Sequence, residues 1–271
     1  MSDDTTSVRH NRTMADTPHG SPVHDALVER LGAAIVHGEH PAGSRLLTTE
    51  LAESSGASRS AAREAVRVLE SLGLVQVRRK AGIEVLPVEQ WNVYAPEIIA
   101  WRLDGPGRAR QLHELGELRG AVEPLAARLA AANATDAQRQ ELVAAALGMA
   151  RHDQQAAEAE YLDADVRFHR TLLSASGNPM LGVLGGVVQA VLEGRTRHAL
   201  MPHEANPDAV RWHRDVAFAV ASGEADAAFE AMSRIVSESD AAIDEVVGDE
   251  FAGTAGERER SEPGRRGQSL R

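Results

Sequence analysis

The spacing of apolar and polar positions divides the chain into two kinds of segment. Residues 24–37 place Ala26, Leu27, Leu31, Ala34 and Ile35 at helical intervals, which predicts an amphipathic helix. Pro41-Ala42-Gly43 breaks it. Thr48 or Thr49 can cap a short helix through Leu51 and Ala52 that ends at Gly56. Ser58 can cap a third helix whose inner face is Ala62, Ala65, Val66 and Leu69, with Leu72 near its end and Gly73 as its stop. Val75-Gln76-Val77 and Ile83-Glu84-Val85 alternate as two short strands around the turn Arg79-Lys80-Ala81-Gly82. Helix, helix, turn, helix and hairpin in that order predict a winged helix-turn-helix over residues 23–87.

From Arg108 to Val247 nearly every window has helical period. Turn signals fall near Asn133–Thr135, Ser176–Pro179, Pro202–Pro207 and Ser222-Gly223, which predicts about six helices in an all-α bundle over residues 108–247. The expected fold is therefore mainly α, a winged helix-turn-helix followed by a helical bundle. The connector, residues 88–107, is broken by Pro96, Gly105 and Pro106 yet carries Trp91, Tyr94 and Trp101. Those aromatics predict that it packs against a domain. Residues 1–22 and 248–271 are polar; the latter contain Gly256-Glu257-Arg258-Glu259-Arg260 and Pro263-Gly264-Arg265-Arg266-Gly267. Their composition predicts a disordered arm and tail.

Composition changes this picture in three ways. The 271 residues include no cysteine, which excludes disulfide scaffolds, thiolate metal sites and cysteine nucleophiles. No stretch approaches the roughly 20 apolar residues of a membrane span, and the N-terminus lacks the apolar core of a secretory signal. A cytoplasmic protein with no membrane partner is expected. The net charge of −11 is unevenly placed. Residues 1–83 balance ten basic against ten acidic side chains, whereas residues 84–271 hold nineteen against thirty. From Ser58 to Lys80 there are six basic residues and two acidic ones, a locally basic segment inside an acidic chain.

Arg59, Arg63 and Arg67 lie four apart and so share one face of the third helix, beside Ser60. Arginines on the second helix of a helix-turn-helix can bond guanine O6 and N7 or phosphate oxygens in the major groove. The same spacing also suits a solvated face. Lys80, at the hairpin tip, is placed to reach a phosphate or the minor groove.

Particular residues narrow the choice. His37-Gly38, Pro41-Ala-Gly43-Ser-Arg45-Leu46, Glu50-Leu-Ala52, Ser58-Arg59, Arg63-Glu64-Ala65, Leu69-Glu-Ser-Leu-Gly73-Leu74 and Gly82 together resemble the winged helix-turn-helix of the GntR family. The resemblance implies a homodimeric transcription regulator on a palindromic double-stranded operator. It places Ser58, Arg59, Ser60 and Arg63 on bases or phosphates, Thr49 on the backbone, and Lys80 with Gly82 at the wing tip. Arg45 and Arg67 complete the basic set, and Glu64 can orient either by an ion pair.

In the bundle, Asp165 and His169 are four apart on one helical face, and His213 sits in another predicted helix. A carboxylate and two imidazoles converging in a bundle suit zinc, nickel or manganese; equally, such histidines can be ordinary partly buried hydrogen-bonders. Glu117-Leu-Arg119 with Glu123-Pro124, Asp165-Val-Arg-Phe-His169, Ala175-Ser-Gly-Asn178, His213 and Ala219–Gly223 resemble the FCD effector domain of the FadR-type branch of that family. In its metal-binding members an aspartate and three histidines form the site, and the resemblance puts Ile235 where the third histidine would stand. A divalent metal would thus have three protein ligands. His198 is either the replacement or a surface histidine.

Arg119 can clamp a carboxylate or pair on the surface with Glu123. Asn178 can order its turn or touch the effector. The connector, Trp91–Pro96 with Ala100-Trp101-Arg102-Leu103, is similar to that of galactonate-operon-type repressors, which implies a sugar acid such as an aldonate as effector. Lactate or a dicarboxylate is the alternative within the same fold. A helical metal-dependent enzyme is the competing class, but no nucleophile or phosphate-loop motif supports it.

Overall fold

The computed structural model describes residues 22–78, 82–198, 200 and 203–261, with side-chain environments as far as residue 243. The chain divides into two compact units. One runs to Ile35 and resumes over His40–Trp91; the other joins Val36–Glu39 to Asn92 and everything after it.

In the first unit, α1 (Pro22–Val36) buries Leu27, Leu31 and Ile35 while Ala26 is exposed. A strand β1 (Arg45–Leu46), α2 (Thr48–Ser55), α3 (Arg59–Ser71), β2 (Val75–Arg78) and β3 (Gly82–Val85) follow. The sheet is antiparallel in the order β1-β3-β2, with Leu46 and Val77 both opposite Ile83. The wing is therefore three-stranded, and β1 was not expected because two residues cannot display an alternating pattern. The α2 cap is another correction. Leu47 occupies the cap position without a side-chain bond, and Thr48 and Thr49 already lie inside the helix. Gly56 ends α2 in the left-handed conformation as expected. Ser58 caps α3 by accepting the Ala61 N–H, and Ala62, Ala65, Val66 and Leu69 face the core.

The second unit contains α4 (Pro96–Asp104), α5 (Arg108–Asn133), α6 (Asp136–Arg151), α7 (Ala159–Ala175), the one-turn α8 (Pro179–Val183), α9 (Gly185–Arg197), α10 (Pro207–Ser222) and α11 (Ala225–Ser261). The main core gathers Leu142, Met149, Phe168, Leu172, Val216, Val220, Met232 and Ile235 between α6, α7, α10 and α11. A second cluster, with Ile99, Leu103, Leu112, Leu115, Val187 and Val191, binds α4 to α5 and α9. The connector thus holds a helix of the bundle. Pro96 starts it, because a first-turn proline sacrifices no hydrogen bond. Trp101 is buried there, Trp91 is half-buried and donates to the Leu86 carbonyl, and Tyr94 is exposed, contrary to the expectation for all three aromatics.

The expected tail boundary also shifts. Helix α11 runs past Gly248 to Ser261 through a stretch without proline, although Gly248, Gly253 and Gly256 weaken its helical preference. The arm lies outside the described residues apart from Pro22. No helix among the described residues is long and apolar enough to cross a membrane.

Candidate functional site

Two surfaces carry the candidate residues. On α3, Arg59, Ser60, Arg63 and Arg67 are all exposed. Burial of the Ala62–Leu69 stripe fixes which way this face points. Arg67 Nη1 donates to Glu64 at 2.8 Å, so Glu64 orients Arg67 and not Arg45. Arg59 and Arg63 have no ion-pair partner among the described residues. Arg45 and Thr49 are exposed nearby in sequence, on β1 and in the first turn of α2. Ser58 is committed to its cap. Gly82 has φ of +84°, and a Cβ on it would lie 2.7 Å from the Leu46 carbonyl oxygen. Its glycine is thus required by the β1–β3 approach rather than by a ligand. Lys80 lies outside the described residues.

The second site is a small cavity of about 60 Å³ with an open mouth, inside the helical unit. Its polar lining comes from α5 (Arg119), α7 (Tyr161, Asp165, His169), α9 (Arg195), α10 (His213) and α11 (Glu238, Ser239). Asp165, His169 and His213 are all buried, and one ligating atom from each lies within 4.8 Å of the others. Asp165 Oδ1 is 3.2 Å from His169 Nε2 and 3.6 Å from His213 Nε2. His213 Nδ1 donates to the Ala209 carbonyl at 2.7 Å, which turns Nε2 to the cavity. Asp165 Oδ1, His213 Nε2 and His169 Nδ1 have no hydrogen-bond partner. Their contacts are close, but they lack the angles of directed hydrogen bonds. Phe168 meets both imidazoles edge-on, and the two imidazoles meet each other in the same way with centroids 5.6 Å apart.

Behind the triad stands an ion pair with no solvent access. Arg119 Nε donates to Glu123 Oε1 at 2.9 Å, with the two side chains 3% and 0% exposed. Glu123 Oε2 lies 3.0 Å from His169 Nδ1. Burial alone would raise the Glu123 pKa, but the Arg119 and His169 charges overcome it and hold the carboxyl down at about 2. Burial opposes the His169 imidazolium, yet Glu123 and Asp165 pull its pKa up to about 9. The Asp165 carboxyl is lowered in spite of its burial by the two histidines. Burial likewise raises the Tyr161 phenol.

Unsatisfied lone pairs on Asp165 and His213 are what a cation would fill. Ligands at 2.0–2.2 Å from zinc are separated by roughly 3.3–3.6 Å in a tetrahedral shell, close to the two separations found here. Ala209 orients His213 by a hydrogen bond as metal-bound histidines require, and Glu123 Oε2 stands 3.0 Å from the outer nitrogen of His169 as a charged neighbour. The residues fit a divalent ion. Ile235 lines the same cavity and offers no ligand.

Three alternatives that the sequence left open are decided. His198 does not join the cavity; its Nε2 is 2.8 Å from Asp104 Oδ1 on α4. Asn178 does not line it either, because its Oδ1 accepts from Met180 N and caps α8. The Arg119–Glu123 pair is buried rather than on the surface. The analysis of the sequence missed Arg195, Ser239 and Tyr161. They come from three helices, and neither period nor spacing marks them.

A winged helix with an exposed arginine face, joined to a helical unit with a buried polar cavity, defines a DNA-binding transcriptional regulator with an effector domain. The sequence profile of the bacterial regulatory proteins of the gntR family matches residues 24–85, and that of the FCD domain matches residues 114–238. The chain is 30% identical over 224 residues to the galactonate operon transcriptional repressor of Escherichia coli (strain K12), covering 82% of this chain and 97% of that one. It is 27% identical over 213 residues to the uncharacterized HTH-type transcriptional regulator YieP of the same bacterium, covering 78% and 90%. The solved structure of Lar from Listeria monocytogenes superposes with a TM-score of 0.51 at 19% identity, over 81% of this chain and 95% of that one, a likeness of fold. The chain belongs to the GntR family of transcriptional regulators, with an FCD domain, and not to an enzyme family.

Proposed function

We propose that the protein is a repressor of a carbohydrate-acid catabolic operon, released from DNA by a small hydroxycarboxylate such as an aldonate. Residues 23–87 form the reader and 108–247 the sensor, with the connector helix packed in the sensor. As a homodimer it places two α3 helices in successive major grooves of a palindrome, where Arg59, Ser60 and Arg63 contact bases or phosphates. Thr49, Arg45, Arg67 and the hairpin tip at Lys80 add backbone contacts. A divalent ion such as zinc, nickel or manganese would be held by Asp165, His169 and His213, and would supply a positive centre for the carboxylate and hydroxyl oxygens of the effector. The chain's own residues do the rest. Ala209 orients His213, Glu123 stands beside His169, Phe168 packs against both rings, and the apolar walls of Leu192, Ala205 and Ile235 limit water.

One observation carries the sugar-acid reading. The similarity to the galactonate operon repressor spans 97% of that protein, including its sensor, and the cavity offers the cationic and polar lining that a sugar acid needs. A ligand that binds only the folded state raises its melting temperature. Melting the protein with D-galactonate, D-gluconate, L-lactate or succinate, with and without a chelator, tests this. The reading expects stabilisation by an aldonate that the chelator weakens. Stabilisation by succinate or lactate alone would replace the sugar acid with the other carboxylate class.

A further inference from the structure

Two guanidinium groups line the cavity, and their surroundings differ. Arg119 is engaged. Its Nε and Nη2 both donate to Glu123, at 2.9 and 3.4 Å, and its Nη1 points at Ser239 Oγ at 3.3 Å. A guanidinium whose fork already holds one carboxylate has little left for a second.

Arg195 on α9 is buried to a similar degree, 6% exposed, but has no carboxylate partner. Its Nη1 donates to Ser239 Oγ at 2.6 Å, and its Nε has no hydrogen-bond partner. Among the described residues no acidic side chain forms an ion pair with it. The neighbouring carboxylates Asp165 and Glu238 act on it through space without touching it, and each faces another group. Glu123 is held by Arg119 and His169, Asp165 faces the two histidines, and Glu238 accepts from Asn206 Nδ2 at 2.9 Å. A buried guanidinium whose hydrogen-bond partner is a neutral hydroxyl, with Asp165 and Glu238 acting on it only through space and a donor left open beside a cavity, is left short of an anion in direct contact.

We infer that Arg195 is the anion receptor of the cavity. It takes the carboxylate of the effector, while Arg119 positions Glu123 and Ser239 and leaves the effector's charge to its neighbour. Ser239 Oγ accepts from both guanidiniums, which fixes the Arg195 fork before any ligand arrives. The effector class that follows is a compact organic anion with a carboxylate at one end and oxygen donors within reach of Asp165, His169 and His213. An uncharged polyol of the same length lacks the group that Arg195 requires. This inference rests on the reading of the cavity as the effector pocket.

Calorimetric titration of the full-length zinc-loaded protein separates the two. The probes are D-galactonate, L-lactate, succinate and the uncharged galactitol, each against wild type, Arg195→Gln, Arg195→Lys, Arg119→Gln and His213→Ala. At least one acid should bind wild type and galactitol should not. Removing a charge-assisted pair should then weaken that acid about 100-fold in Arg195→Gln and by less in Arg195→Lys, which keeps the charge but not the fork. Arg119→Gln should instead chiefly lower the melting temperature, because it leaves Glu123 buried without its partner. The lysine variant guards against misfolding of the glutamine one. An acid that binds Arg195→Gln as tightly as wild type but is lost in His213→Ala overturns the role of Arg195 alone. If wild type binds galactitol as well as the acids, or binds none of the three acids, the carboxylate pocket itself falls and the inference with it.

Discussion

Glu123 Oε2 lies 3.0 Å from His169 Nδ1, and this contact presents the opposite ring nitrogen to Asp165. The same carboxylate neutralises Arg119, so one side chain orients the candidate metal ligand and holds a buried cation. Removing one partner of a buried pair typically costs about 3–5 kcal/mol. Glu123→Gln should therefore melt well below wild type. It should also bind zinc about 10–100-fold more weakly, as the loss of an outer carboxylate on a metal-bound histidine does. Thermal unfolding and a competitive zinc indicator measure the two effects separately.

The low pKa of Glu123, about 2, fixes the sign of one pH effect. Its folded-state value lies below its ordinary value of 4.5, so its stabilisation is fully present above that value. It is lost as pH falls through 4.5 toward 2. In a chelator, wild type should lose more stability over this window than Glu123→Gln does, as followed by denaturant unfolding at a series of pH values.

Ile235 lines the cavity at 3% exposure but cannot ligate. Ile235→His should bind zinc more tightly than wild type, and Asp165→Asn more weakly. A histidine variant that binds no better would show that this position does not face the metal.

Gly82 is expected to tolerate no side chain. Alanine there adopts an unfavourable positive φ and meets the Leu46 carbonyl, at a cost of about 1–3 kcal/mol. Melting of Gly82→Ala should show the loss, and its DNA affinity should fall through a disturbed wing rather than through a lost contact.

Arg59→Ala and Arg63→Ala should each cost about 1–3 kcal/mol of operator affinity if they read bases. A phosphate contact would appear instead as a salt dependence shallower by about one unit. Titrations at several salt concentrations distinguish the two.

The reader was the more legible half of the sequence. The α3 stripe of Ala62, Ala65, Val66 and Leu69 is local periodicity, and the cap at Ser58 and the stop at Gly73 sit beside it. Pairing of Arg45-Leu46 with β3 is a long-range event in a two-residue strand, and left no local trace. Pro96 read as a break because a proline looks the same at the start of a helix as in a loop. In the sensor, Asp165 and His169 were visible as an i, i+4 pair and His213 through resemblance. Arg195 and Ser239 were invisible because only the packing of α9 against α11 makes them neighbours. Asn178 stayed ambiguous for the opposite reason. Its turn is local, and a cap and a ligand contact use the same amide.

The central claim is that a small carboxylate in the cavity controls DNA binding by the winged helix. Fluorescence anisotropy of a duplex, selected by the protein itself from a random pool, tests it most directly, with the duplex titrated in the presence and absence of the stabilising acid. A coupling of about 1–3 kcal/mol predicts operator affinity roughly 5–150-fold weaker with the acid, and no such release in His213→Ala. Identical affinities with and without the acid, or equal release in His213→Ala, would contradict it.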